Sequence, residues 1–538
     1  MSAFDRLVDD ISAVLWELSP AWAVYLGRHE YDGAVPDWSP ATVDGHLSRL
    51  EALRRGLHEL DGLDQDQELD RVQLTATIDS ELFQWEILRW WRRNPMEYIF
   101  PLGVETYLNR SYAPMAHRAA KIADVVEAVP RLLGQGKENL ERVVPRTFCQ
   151  WAITMANGAA GFLTEGLPDA VGALHDPRLA DRVSEAIETA AGALRDYADW
   201  VEAELMPKAD DGFAIGSDNM EELLRRGELV SMDLEELLAI GEADLAANLA
   251  AFRETAAAID PDLEPRQAYD EHVASVHFTA QELIPSTEAM LEEIRTFLID
   301  HDIISVPSEV RARVAETPRH LRFAFAMMDT PGPYETEATE AYYYVTPVED
   351  DWEEEQAQQW LKTLNRYALE ATSIHEAYPG HYVHFLHYDH APTETSKRTW
   401  SYAFVEGWAH YTEQMMWEQG YRGGDDRFRL AQLSEALVRN CRLVCAIKMH
   451  TQGMSVDEAT RFFVDNAYYE ETAARKEAER GTFDPGYFSY TLGKLQILRL
   501  REDYRKAMGD GYSLREFHDR LLSRGAPPVE LMRRVMLP

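Results

Sequence analysis

The chain has 538 residues, 46% of them hydrophobic and 10% aromatic, and a formal net charge of −40. That length allows roughly two to four ordinary domains, and the apolar content is ample for a large core, which excludes global disorder. The charge excludes nucleic-acid partners, because a polyanion would be repelled.

The N-terminal stretch "MSAFDRLVDDISAVLWELSP" lacks a basic segment followed by an apolar one and carries early acids instead. It reads as a mature cytosolic start. "VDDISAVLWELSPAWAVYLG", "DRVQLTATIDSELFQWEILRWWRR", "HRAAKIADVVEAVPRLLGQGKENLERVV" and "ADRVSEAIETAAGALRDYADWVEAEL" repeat apolar residues at three- and four-residue intervals and predict helices. Pro130 starts a new helix or kinks a long one. "LPDAVGALHDPRLA" and "KADDGFAIGSDN" are breaks. Helix resumes in "MDLEELLAIGEADLAANLAAF", with Ser231 or Asp233 as its cap. No stretch of about eighteen uncharged apolar residues occurs, so no membrane span is expected. The three cysteines, Cys149, Cys441 and Cys445, are too few for a disulfide framework and point to the cytoplasm. Cys441 and Cys445, four apart on a predicted helix, read as small core residues.

The pattern changes between about residues 301 and 348. "DIISVP", "EVRARVAETP", "LRFAFAMMD" and "EAYYYVTPV" are rich in β-branched and aromatic residues between prolines and glycines, and predict three or four short strands. Helix returns from "DWEEEQAQQWLKTLNRYALEATSIHE" almost to the end. The expected organisation is a helical region over 1–300 and a catalytic region over 301–538, integrated in one fold. A small sheet before a His-Glu helix suits a peptidase, because an exposed edge strand can hold an extended peptide by backbone pairing.

The chemistry is concentrated in "TSIHEAYPGHYVHFLHYDH". A catalytic zinc needs three protein ligands and an open position, and two histidines with a glutamate are one common set. The usual H-E-x-x-H arrangement places its histidines four apart on one helical face. Here His375 and His381 are six apart, which on a straight helix leaves the side chains about 120° apart. Pro379 and Gly380 supply a remedy, since proline breaks the ladder and glycine tolerates the dihedrals of a bulge. His375 and His381 are thus expected to converge across a broken helix, with Glu376 as general base. Glu406, in "SYAFVEGWAHYTEQMMW", lies 25 residues after His381 and is the candidate third ligand; His410 and Glu413 share its stripe. His384, His387 and His390 read as a packing or solvated face.

"HEAYPGH" followed by "EGWAHYTE" resembles the bacterial domain-of-unknown-function 885 family of zincin-like proteins. "VPRLLGQGKENLERVV", "FAIGSDNMEELLRRG", "LEELLAIGEADL", "RLVCAIKMHTQGMSVDEATRFF" and "FDPGYFSYTLGKLQILRLRE" extend the resemblance over most of the chain. It implies a mainly α, large helical zincin-like metallopeptidase fold with a small antiparallel β-sheet next to the active-site helix, related to thimet-oligopeptidase-like and angiotensin-converting-enzyme-like enzymes. His375, His381 and Glu406 match the family's metal-ligand positions, Glu376 its general base, and Zn2+ is the cofactor implied. "GYFSYTLGK" is similar to the tyrosine segment that faces the metal in the oligopeptidase relatives. Tyr487 and Tyr490 are therefore candidate oxyanion donors, Tyr490 matching better because Tyr487 stands where a small residue is expected. Arg442 and His450 also match recurrent positions. Either Arg442 binds a substrate carboxylate and His450 assists the oxyanion, or Arg442 pairs with a structural acid and His450 caps a helix end. Tyr343, in the last strand segment, is a further substrate-binding candidate. "VCAIKMH" departs from the family around Lys448, where relatives often carry an acid and a glycine.

The expectation is a zinc-dependent hydrolase of amide bonds in short peptides, with no nucleic-acid or membrane partner. A metal hydrolase of a non-peptide amide or ester, or a non-catalytic helical binding protein retaining the fold, are the alternatives.

Overall fold

A computed structural model describes residues 2–537 apart from 173, 323, 350 and 389 and the side chain at 320. The fold is mainly α-helical with a small three-stranded sheet. Among the described residues no helix is long and apolar enough to cross a membrane. The chain divides into two compact units, Met1–Phe213 with Pro331–Thr339, and Ala214–Thr330 with Glu340–Pro538.

The first unit is built on α1 (Ala3–Leu18), α2 (Pro40–Glu59), α3 (Gln65–Leu82), α4 (Met115–Asn139), α5 (Arg146–Gly161) and α6 (Pro177–Trp200). Ser2 and Asp5 form a reciprocal capping box on α1, at 3.0 and 2.7 Å, and Asp64 with Gln67 does the same for α3. Pro130 lies inside α4, where the buried stripe of Ile122, Val126, Val129 and Leu133 carries the helix through toward α6. Residues 331–339, drawn from between two strands, join this unit. Tyr334 packs on Trp16, Ala23 and Leu26, and its amide donates to the Leu26 carbonyl at 3.0 Å.

The second unit begins well before residue 300. Helix α7 (Leu234–Ile259), capped by Asp233 accepting from the Glu236 amide at 2.7 Å, packs along α11 (Asp426–Thr451), most of which is buried. That long-range contact, invisible to local periodicity, moves the border to residues 213 and 214. Its other helices include α8 (Arg366–Glu376), α9 (His381–Tyr388), α10 (Tyr402–Glu418), α12 (Glu471–Phe483) and α13 (Ser489–Met508). α11 lies against α8, α10, α12 and α13, and α8 lies against α10.

The sheet has the order β1 (Arg313–Glu316), β3 (Tyr342–Val345), β2 (Ala326–Asp329). It is mixed, which corrects the antiparallel expectation: β2 is antiparallel to β3, but β1 is parallel to it. Successive strands run up, down and up, so a central third strand must lie parallel to the first. β2 is left at an edge, two residues short of the chain that returns to the first unit. "DIISVP" forms no strand; Ile303 and Ile304 are buried in irregular chain. Of "LRFAFAMMD" only the end is strand, and residue 323 lies outside the described residues.

Candidate metal centre

Helix α8 is started by Asn365, whose side chain accepts from the Ala368 amide at 3.0 Å, and runs to Glu376. The next four residues leave the helix, with the Tyr378–Pro379 peptide cis, and α9 begins at His381. The Gly380 amide donates to the Ile374 carbonyl at 3.0 Å. Gly380 sits so close on the end of α8 that a Cβ there would lie 1.7 Å from the His375 carbonyl oxygen. Only glycine allows this approach. Trp408, fully buried on α10, donates its indole N–H to the carbonyls of Pro379 and Gly380 at 3.0 and 3.3 Å and satisfies groups that the broken ladder leaves open.

The result brings His375 beside His381, with ring centroids 4.9 Å apart and planes at 90°. Glu406 completes the group: its Oε2 is 3.5 Å from His375 Nε2 and 3.7 Å from His381 Nε2. Among the described residues these three form the group that can hold a metal ion, with ligand atoms all within 4.8 Å of one another. A tetrahedral Zn2+ with bonds near 2.1 Å needs donor atoms separated by about 3.4 Å. The donor set suits that ion, and the two distances to Glu406, 3.5 and 3.7 Å, come close to that spacing. Glu406 is fixed in depth by contact of backbones: a Cβ on Gly407 would lie 2.4 Å from the Gly493 Cα, and one on Gly493 would lie 1.7 Å from the Ala403 carbonyl oxygen, so α10 and α13 touch without side chains between them.

His375 is oriented from behind. Its Nδ1 donates to Glu413 Oε1 at 2.8 Å, a tautomer assigned from the network, which leaves Nε2 to face the ligand group. Glu413 is two turns along α10 from Glu406 and itself lies 3.5 Å from both Arg439 Nη2 and His410 Nδ1. Behind it, Lys494, 1% exposed, pairs with Asp244 at 2.8 Å, and Asn440 donates to the same carboxylate at 2.7 Å. Burial pushes the His375 pKa down, but hydrogen bonds to Glu406 and Glu413 outweigh it and raise it to about 9. Burial likewise pushes the Glu406 carboxyl up, and His375 and His381 bring it to about 2. His381 goes the other way, lowered by burial. Such a field favours one positive charge at the centre, whether proton or metal ion.

Glu376, next to the first histidine, is half-buried while its neighbours are buried. Its Oε2 accepts from the Met328 amide of β2 at 3.0 Å, so the candidate base is tied to the edge strand. Tyr490 is partly exposed at the start of α13 and lies in the field of Glu406. Its ring is edge-on to Tyr402 at 5.9 Å and has the Arg442 guanidinium at 5.0 Å and those of Arg439 and Arg480 at 6.0 Å.

Four other sequence candidates are placed away from this centre or are already engaged. Tyr487 is fully buried, its hydroxyl packed on Gly481 and without a hydrogen-bond partner among the described residues, so it fills core. His450 spends both ring nitrogens on backbone, Nε2 donating to Gly481 at 2.7 Å and Nδ1 accepting from Ile215 at 3.3 Å. Arg442 closes its fork on Glu477 through two bonds of 2.8 Å, the structural-acid alternative. Tyr343 is fully buried on β3 with its hydroxyl 3.1 Å from Ser373 Oγ. His384 and His387 turn to the carbonyls of Gly525 and Ser305 at 3.0 and 3.2 Å. Sequence reasoning noticed the stripe holding Glu413 but not its hold on His375. It missed Tyr402, Arg480 and Asp484, although the last two are four apart just before the tyrosine segment.

Among the solved structures that match, two align over 99% or more of the chain. One, a "putative lipoprotein of unknown function" from Shewanella oneidensis, is 23% identical, covers 100% of both chains and has a TM-score of 0.83. Another, a "putative lipoprotein" from Colwellia psychrerythraea, is 17% identical, covers 99% of this chain and 98% of its own, and has a TM-score of 0.84. A "putative oligoendopeptidase F" from Bacillus anthracis str. Ames aligns over 99% and 92% at 12% identity, but its TM-score of 0.32 carries no argument. No curated protein matches the chain. The cytoplasmic expectation is corrected by these two neighbours, each described as a "putative lipoprotein". The three cysteines are buried and unpaired, which is compatible with either compartment. The sequence profile of the family described as "Bacterial protein of unknown function (DUF885)" matches residues 20–536, and the chain belongs to that family.

Proposed function

We propose that this protein is a zinc-dependent hydrolase that cleaves amide bonds in short peptides. The observation that carries the reading is the convergence of His375, His381 and Glu406, with Glu406 3.5 and 3.7 Å from the two imidazoles and all three donor atoms within 4.8 Å of one another, and with the half-buried carboxylate of Glu376 on the adjacent residue. A Zn2+ held by those three side chains supplies the Lewis acidity that acidifies water and polarises a carbonyl. Glu376 is the base that takes the proton of the attacking water on a carboxylate oxygen and returns it to the leaving amine. The Met328 N–H steadies that carboxylate and keeps it aimed. Tyr490 donates a hydrogen bond to the carbonyl oxygen as it gains negative charge, a role worth roughly 3 kcal/mol in comparable sites. β2, an edge strand, pairs with the backbone of an extended substrate.

The test is a short-peptide library offered to the zinc-loaded protein, to the chelated protein, and to a Glu376→Gln variant. Cleavage is expected from the first alone, with the variant retaining zinc while losing at least about 100-fold in rate. Full activity in the zinc-bearing variant refutes the general-base role. Cleavage of small non-peptide amides or esters without any peptide cleavage refutes the substrate class.

A further inference from the structure

Beside the ligand triangle three guanidiniums gather around one tyrosine ring, each paired with a carboxylate: Arg439 with Glu413 and Glu435, Arg442 with Glu477, and Arg480 with Asp484. The guanidiniums of Arg439, Arg442 and Arg480 lie at 5.0 to 6.0 Å from the ring of Tyr490. They are not equivalent. Arg439 and Arg442 keep only 12% and 13% of their side chains exposed, whereas Arg480 keeps 31%. Arg480 is held on one side by Asp484, at 2.9 Å, and its Nη2 donates to the Tyr402 hydroxyl at 3.1 Å. The Tyr402 oxygen is therefore an acceptor in that bond, and its own proton remains to be donated. Tyr402 precedes the ligand Glu406 by four residues on α10, so the two share a face with a rise of about 6 Å between them. An extended peptide advances about 3.3 Å per residue. A group bound at Arg480 and Tyr402 thus lies one or two residues from a bond attacked beside Glu406.

From this arrangement we propose that Arg480 and Tyr402 form a subsite for the free C-terminal carboxylate of a peptide, which makes the protein a carboxypeptidase or dipeptidyl carboxypeptidase and not an endopeptidase. The inference rests on the hydrolase reading above and deepens it. Asp484 and Tyr402 engage Nε and Nη2 of Arg480, and Tyr490 also bonds to it, but the guanidinium still keeps 31% of its side chain exposed; beside a phenol whose proton is unspent, it offers charge-assisted hydrogen bonds to a carboxylate and little to a neutral amide. The buried pairing of Arg442 with Glu477 leaves Arg480 as the guanidinium of the cluster that a ligand meets.

The experiment measures binding separately from turnover. The zinc-loaded, full-length Glu376→Gln protein is titrated calorimetrically with N-acetyl-trialanine as the free acid and as its C-terminal amide. The acid is expected to bind at least tenfold more tightly. Tyr402→Phe should reduce that preference several-fold, and Arg480→Gln should remove it, with thermal unfolding recorded for both variants. Equal affinities, no binding of either peptide at millimolar concentration, or a preference that survives Arg480→Gln overturns the subsite. Should Arg480→Gln fail to fold, an undiminished preference in Tyr402→Phe overturns it. In the unmodified enzyme, equal cleavage of acid and amide defeats the subsite but spares the hydrolase reading. Acid-selective binding without any cleavage does the reverse.

Discussion

Replacing Gly380 by alanine places a methyl group 1.7 Å from the His375 carbonyl oxygen and 2.4 Å from its carbon. Neither atom is the end of a flexible side chain, so the backbones must part. Real Cβ atoms essentially never approach closer than 3.0 Å, so the separation needed is about 1.3 Å. His381 begins at the next residue and moves with it. Metal sites tolerate deviations of about 0.2 Å in ligand distance, so His381 is lost as a ligand. Zinc affinity should fall by at least about 100-fold, or about 2.8 kcal/mol. The overpacking should cost about 1–3 kcal/mol of folding stability. The assay is zinc competition against a chelating dye, with circular dichroism and urea unfolding on the same samples. Gly134→Ala is the control, because that helical glycine has no heavy atom within 4 Å of an added Cβ, and it should be neutral or stabilising by up to about 1 kcal/mol. A folded Gly380→Ala protein that binds zinc within threefold of the parent would refute the account of how the two histidines converge.

Glu413→Gln should weaken zinc binding about 10- to 100-fold by loosening the hold on His375 Nδ1, and a change below twofold would remove Glu413 from the site. Metal-free stability should also fall on mild acidification. Burial holds His384 and His518 neutral, with pKa values pushed down to about 3, against about 6.5 in an unfolded chain. Above 6.5 both states are neutral at these positions; as pH falls below it the unfolded chain gains protons that the folded one refuses. Each histidine then costs about 1.4 kcal/mol per pH unit until the folded pKa is reached. Urea unfolding between pH 6 and 4.5 should be shallower in pH dependence by that amount for His518→Asn, and identical slopes would show that His518 is not held neutral.

What the residues alone determine is the local part of the design. The helical periodicities, the strand segments near 313, 326 and 342, a cap at Ser231 or Asp233 and the His-Glu motif all depend on neighbours within a few positions. The late histidine belongs here too, because Pro379 and Gly380 announce the break that excuses its spacing. Tertiary structure decides what depends on distant partners. It sets the direction of the β1–β3 pair, the return of 331–339 to the first unit and the border at 213. It also chooses among chemically equal side chains. Tyr490 stays partly exposed in the field of Glu406 while Tyr487, three residues away, fills core against Gly481; Arg442, closed on Glu477, keeps 13% of its side chain exposed, while Arg480, paired with Asp484, keeps 31%. A tyrosine or an arginine in a sequence states what it can donate. Whether that donor is still available depends on which acid, glycine or carbonyl the rest of the chain has packed against it.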